Sequence, residues 1–185
     1  MVLPILLILC LGLLFVQFVW IATYSYSPNE YLENTFKKRI PTTFLLVFFV
    51  LVCEFITGLL IPFPVNSFFL ATTLVGLSFY EAGIAVAVWA KLTMRENWGN
   101  PAQHNIKMQK NLVTSGPFAF SRNPIYLGLL LIVLGFGITL QSYLIVLVVP
   151  LYFYFSNIIG IEEILLKKHF GNIYQDYCKR VRRFI

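Results

Sequence analysis

The chain has 185 residues, of which 58% are hydrophobic and 12% charged, with a mean hydropathy of +0.78. A water-soluble domain of this length has too little interior to hide so much apolar surface, which argues against a soluble enzyme and for one membrane domain spanning residues 1–185. The net charge of +6 forms no basic face, because the cations sit between apolar runs; that speaks for membrane orientation and against a nucleic-acid partner.

A bilayer core about 30 Å thick takes roughly 20 apolar residues of helix. Val2 to Ala22 meets that with no charge. No Lys or Arg precedes it and no small-residue cleavage site follows, so it reads as a retained first helix rather than a secretion signal. Thr43 to Ile61 is the second span, with Glu54 inside it, and Phe68 to Ala90 the third, with Glu81. An ionisable group at mid-membrane is a functional candidate by default; the plainer alternative is a protonated carboxyl bonded to a neighbour such as Thr57 or Tyr80. Ile125 to Ile161 is apolar almost throughout and too long for one span. Gln141-Ser142, following Gly135, Gly137 and Thr139, predicts a hairpin of two short helices turning there. From Glu162 onward Leu166, Phe170, Tyr174, Tyr177 and Val181 recur at helical spacing, an amphipathic stripe that Gly171 divides or kinks.

The expected fold is therefore all-α: a polytopic membrane protein of about five transmembrane helices, the last two a hairpin, plus a cytoplasmic C-terminal helix. Residues 1–66 supply the N-terminal transmembrane helices and residues 67–185 the functional core. The cations fix the orientation. Lys37, Lys38 and Arg39 lie in the first loop, Lys91, Arg95, Lys107, Lys110 and Arg122 in the third, and Lys167, Lys168, Lys179, Arg180, Arg182 and Arg183 in the tail, which is the whole Lys+Arg count of 14. The second loop, Pro62 to Ser67, and the hairpin turn carry none. An odd number of spans puts the charged segments on one face, with the N-terminus outside and the tail in the cytoplasm. Cys10, Cys53 and Cys178 form no motif, so neither a disulfide nor a metal framework is expected, and His104 and His169 read as interfacial.

Polar residues concentrate in Arg95 to Asn123 and Glu162 to Arg183. Both segments are cytoplasmic in this topology, where a soluble cofactor reaches them and a lipid-borne substrate arrives from the membrane. Gly116-Pro117 is a turn signal, and Pro124 suits a first helical position. Free N–H groups there, beside Arg122, favour an anionic group; a capped helix with an arginine at the headgroup level is the plainer reading. Glu162-Glu163 either caps a helix start or recognises a cationic group such as an amine or a sulfonium.

Together these stretches carry a resemblance. Leu112 to Phe118 gives Leu-Val-x-x-Gly-x-aromatic and Arg122 to Tyr126 gives Arg-x-Pro-x-Tyr. Glu162-Glu163 and Phe170-Gly171-Asn172-Ile173-Tyr174-Gln175-Asp176-Tyr177 follow, with Trp98 in an aromatic stretch ahead of the loop. The pattern, over roughly the C-terminal half, resembles the isoprenylcysteine carboxyl methyltransferase and phospholipid methyltransferase family of integral membrane enzymes. The resemblance implies methyl transfer from S-adenosyl-L-methionine to a lipid-like or prenylated small-molecule or peptide substrate, with membrane lipids as partners and no metal. Carried over, it implies cofactor contacts from Leu112, Val113, Gly116, Phe118, Asn123, Pro124, Ile125, Tyr126 and Glu162, and from Lys110, where relatives commonly have His. Asn123 also stands where relatives often have His, and Ile158 stands where isoprenylcysteine enzymes place a substrate-binding Arg. An aliphatic side chain makes no bidentate carboxylate contact. Carboxyl methylation of isoprenylcysteine type heads the readings; phospholipid amine N-methylation, a sterol-reductase-like enzyme using a nicotinamide cofactor and a non-catalytic relative stand beside it. In a methyltransferase, Arg122 would orient an anionic substrate group or hold the loop closed, and Glu163 would take the proton of an amine nucleophile. A carboxylate nucleophile, with a pKa near ~4, needs no base.

Overall fold

A computed structural model describes residues 2–23, 69–94, 97 and 110–185 of the chain. Among the described residues the regular structure is entirely helical. In chain order the α-helices are α1 (Val2–Ala22), α2 (Phe69–Met94), α3 (Pro124–Thr139), α4 (Val148–Phe170) and α5 (Asn172–Arg180), with short 3-10 helices at Gly116–Ala119 and Tyr143–Leu147. The first expected span and α1 share their limits, and α2 runs one turn past the expected end at Ala90. The second expected span, Thr43 to Ile61 with Glu54 and Thr57, lies outside the described residues, as do Cys53, Trp98 and His104.

Two stretches, Leu70–Met94 and Ile145–Phe170, are long and apolar enough to cross a membrane. Only 28% and 11% of them is buried, unlike the core helix of a soluble protein. Leu11, Leu14 and Phe18 of α1, Leu70 and Leu74 of α2, and Phe153, Tyr154 and Ile164 of α4 are exposed. A surface of this kind is compatible with lipid as solvent and not with water.

The scaffold rests on the seam between α2 and α3, where glycines let two backbones touch. A Cβ at Gly83 would lie 2.7 Å from the Gly128 carbonyl oxygen, and one at Gly128 would lie 2.7 Å from that of Gly83. Two turns on, a Cβ at Gly135 would meet the Tyr80 amide nitrogen at 2.3 Å, and one at Gly76 the Thr139 nitrogen at 2.4 Å. Lipid tails give apolar side chains no reason to prefer each other, so helices in a membrane associate through close contact of small residues. On the other side of α2, the Tyr80 hydroxyl donates to the Leu9 carbonyl of α1, and Leu9, Tyr80 and Ile132 share a buried cluster. Tyr80 is thereby committed to α1 rather than to Glu81, which is exposed on α2.

Gly135 therefore marks the seam, not the turn. The chain reverses after Thr139, at Gln141, which takes φ 50°. The Ser142 amide donates to the Gly137 carbonyl at 2.9 Å, and the Gln141 side-chain amide donates to Thr72 Oγ1 on α2. Beyond it α4 packs on α3, with the Tyr126 and Phe155 rings 5.0 Å apart. It passes through Glu162-Glu163 without a break and ends at Phe170, where Gly171 takes φ 57° and α5 departs. The carboxylate pair thus sits deep inside a helix, so capping of a helix start does not explain it.

Gly135→Ala should lower the melting temperature in detergent, with a cost of about 1–3 kcal/mol from overpacking. Gly160, whose Cβ would meet nothing within 4 Å, is the control. Gly160→Ala should hold or raise the melting temperature, since Ala favours a helix over Gly by up to ~1 kcal/mol.

Candidate active site

The seam delivers the N-terminus of α3, and the loop before it, to one end of the bundle. Lys110 is exposed, and its amide and that of Asn111 donate to the Asn97 side chain at 3.0 and 3.1 Å. Leu112 and Val113 follow, half-buried. At Gly116 the backbone takes φ +60°, and a Cβ would lie 3.0 Å from Thr93 Oγ1 and 3.3 Å from Trp89 Nε1; the turn needs glycine for conformation and for space. The 3-10 helix that begins there turns Phe118 inward to pack with Ala90 and Ile125. Pro124 opens α3 as expected, but Asn123 does not cap it with its side chain.

Two C-terminal elements close over this loop. From α4, Glu162 accepts a hydrogen bond from the Tyr126 hydroxyl at 2.9 Å, and Glu163 lies 3.1 Å from the Arg122 guanidinium. From α5, the buried Tyr177 hydroxyl donates to the Phe118 carbonyl at 2.6 Å. After α5 the chain folds back across residues 121–123. The Arg122 amide donates to the Arg182 carbonyl at 2.9 Å, and the Asn123 side-chain amide donates to the Arg183 carbonyl at 3.0 Å. The Arg183 guanidinium reaches the second oxygen of Glu163 at 2.5 Å.

Between these parts lies a cleft lined by Met94 from α2, Leu112, Val113, Phe118 and Arg122 from the loop, Leu166 from α4, and Tyr174 and Tyr177 from α5. Arg122 gives it a cationic wall. Its guanidinium already has Glu163 as a counter-ion, so the anion that the helix start and Arg122 were expected to attract is in part the protein's own. Its Nε, however, is buried with no hydrogen-bond partner among the described residues. Burial, with the Glu163 carboxylate nearby, pushes the Tyr174 phenol well above its ordinary range. Burial does the same for Tyr177, against the opposing charge of Arg122. Both tyrosines are neutral hydrogen-bonding groups at physiological pH.

Of the residues singled out from sequence, Leu112, Val113, Phe118 and Arg122 line the cleft. Tyr126, Glu162 and Glu163 join the same end of the bundle through the bonds above. Ile125 instead packs with Ala90 and Phe118, Pro124 is fully buried at the helix start, and Lys110 stands outside the lining. Sequence reasoning passed over Met94 and Leu166 in the lining, and Tyr174, Tyr177 and Arg183 beside them. Tyr174 and Tyr177 registered in an amphipathic stripe and in the stretch that carries the resemblance, without a role in the site, and their three-residue spacing already placed them on one helix face. Arg183 counted only as an orienting charge, since no periodicity extends past the end of α5. Among the described residues no cluster of His, Cys, Asp and Glu could hold a metal ion.

The raised phenols have a consequence for stability. A group that keeps its proton longer in the folded state contributes stability that is full at neutral pH and is lost as the pH climbs past 10.0, the ordinary phenol value. Tyr177→Phe should cost about 1 kcal/mol at neutral pH through the lost bond to Phe118. It should also flatten the alkaline loss of stability, read as melting temperature against pH.

The model of the family described as phospholipid methyltransferase matches residues 71–173, from the start of α2 to the start of α5. No curated protein matches the chain.

Proposed function

The chain belongs to the phospholipid methyltransferase family, a group of integral membrane methyltransferases, and on that premise we propose that it methylates a lipid-borne acceptor with S-adenosyl-L-methionine at the cytoplasmic end of its helices. One observation carries the reading: the loop of residues 112–126 and the acidic stretch of α4 close on each other, joined by Tyr126 to Glu162 and by Arg122 to Glu163.

The donor set fits the cofactor. Leu112, Val113, Phe118 and Leu166 offer an apolar bed with aromatic faces beside it from Tyr174 and Tyr177. The Arg122 guanidinium suits a carboxylate, and Glu162 suits an amine or sulfonium. The cleft encloses about 50 Å³, enough for one end of such a molecule, and the rest would extend past the loop. When bound, S-adenosyl-L-methionine supplies a methyl group activated by a sulfonium.

The protein's contribution is alignment and exclusion of water. Tyr126 holds the Glu162 carboxylate in place from one turn inside α3. Glu163 is bound on both oxygens by arginines, which suits it to positioning Arg122 rather than to taking a proton. At the position that would bind a carboxylate acceptor stands Ile158, 9% exposed and packed with Tyr126, Phe155 and Ile159. Hydrocarbon there gives a carboxylate acceptor no paired contact, whereas an amine acceptor reacts as the neutral base, after releasing its proton to water at the cytoplasmic end, and needs no such partner. The orientation follows from the cations: Lys91, Arg122, Lys167, Lys168 and the tail gather at the cleft end, which the positive-inside rule assigns to the cytosol.

Purified protein incubated with methyl-labelled cofactor and a membrane lipid extract should label lipid. Glu162→Gln should reduce transfer about tenfold or more, the loss expected for a charge-assisted contact. A base-stable product identifies an amine acceptor and a base-labile one an ester; no labelled product at all, with NADPH bound in place of S-adenosylhomocysteine, would overturn the assignment.

A further inference from the structure

The segment after α5 makes more contacts than a connecting tail requires. Its backbone holds both sides of Arg122: the Arg182 carbonyl accepts the Arg122 amide at 2.9 Å, and the Arg183 carbonyl accepts from Ser121 Oγ at 3.3 Å and from the Asn123 side chain at 3.0 Å. Its side chains hold α4. The Arg183 guanidinium grips Glu163 through Nε and a terminal nitrogen, and the Phe184 ring lies 5.6 Å from that of Tyr152 while packing on the Tyr126 and Phe155 cluster. Glu163 draws the Arg183 guanidinium still further into its charged form.

Glu163 is thus one carboxylate shared by two guanidinia. Its second oxygen is held by a terminal nitrogen of Arg183, and its first is divided between Arg122 at 3.1 Å and the Nε of Arg183 at 3.4 Å. With Arg183 gone, both oxygens would be open to Arg122, and a guanidinium facing a whole carboxylate turns to meet it with two parallel bonds. That turn draws Arg122 off the cleft wall and spends the Nε that is now buried without a partner. We infer that Arg183 is a positioning residue, which by occupying one side of Glu163 keeps the Arg122 guanidinium presented to an anionic group of the ligand in the cleft. Arg183 acts through Glu163 and does not itself line the cleft, and it lies outside the residues that the family model matches. The inference rests on the methyltransferase reading for the identity of that ligand.

The test is the affinity for S-adenosylhomocysteine of the full chain in detergent, with melting temperature followed in parallel. Arg183→Met should weaken binding about tenfold, the scale of one charge-assisted contact, with little change in melting temperature because Arg183 is 43% exposed. Arg180→Met, an equal change of charge on the exposed end of α5, should leave affinity unchanged. Arg183→Lys, which keeps the charge and loses the fork, should fall between wild type and Arg183→Met, and decides the question alone if Arg183→Met fails to fold. In a Glu163→Gln background, Arg183→Met should weaken binding no further, because the two act in series. Unchanged affinity in Arg183→Met or Arg183→Lys, or a full additional loss in the Glu163→Gln background, overturns the inference and leaves the enzyme assignment standing. Wild-type protein that binds no S-adenosylhomocysteine overturns both.

Discussion

The contact on which the rest depends is the glycine seam between α2 and α3. In water a pair of apolar helices is driven together by burial; in lipid that drive is absent, and contact has to come from shape. Gly76 and Gly83 on one helix and Gly128 and Gly135 on the other remove the side chains that would hold the axes apart. The consequence reaches the functional end. With α3 fixed against α2, the residues just before α3 have little freedom, so Arg122 arrives at a set height in the cleft it shares with Met94. Gly116, with its left-handed backbone against Thr93 and Trp89, fastens the loop to the same helix at a second point.

On this fixed half the C-terminal elements close as a second half, and the join is polar where the rest of the molecule is not. Tyr126 to Glu162, Arg122 to Glu163 and Tyr177 to Phe118 are long-range bonds across this join, and the carbonyls of Arg182 and Arg183 add bonds from residues 121–123. Polar groups inside a low-dielectric region are expensive unless paired, and paired groups fix geometry more sharply than packing does. The cleft opens along this join, so the same bonds that close the fold set the positions of the groups facing a ligand.

The sequence foretold the helices better than their contacts, for a physical reason. Helix length and placement follow from the bilayer and from the run of apolar residues, both visible in one dimension; hence α1 and the start of α2 fall where hydropathy put them. Interhelical contacts leave a weaker trace. Gly135 entered the sequence reading only as one of the residues leading into the turn at Gln141-Ser142, whereas its neighbours Tyr80 and Gly76 on α2 show it serving close approach. Glu162-Glu163 looked like a helix start because polarity changes there, but a helix leaving the membrane changes polarity without ending. The clustering of Arg122, Tyr126, Glu162 and Glu163 entered through resemblance and has its geometric counterpart in the bonds between them. Arg183 carried no such signal: it follows the last helical turn, and only the fold brings it back to Glu163.

Arg122 shows how a membrane enzyme of this build reconciles stability with a receptive site. A lone guanidinium at the edge of a lipid-facing bundle would be costly, and a guanidinium fully paired with its own carboxylate would have nothing to offer a ligand. Glu163 lies between these limits, because its carboxylate is shared between Arg122 and Arg183. The Arg122 charge is compensated enough to be largely buried, with its side chain 15% exposed, while the residue still lines the cleft. An anionic ligand group in the cleft would meet this guanidinium, so part of its affinity would come from a charge that folding had already removed from water.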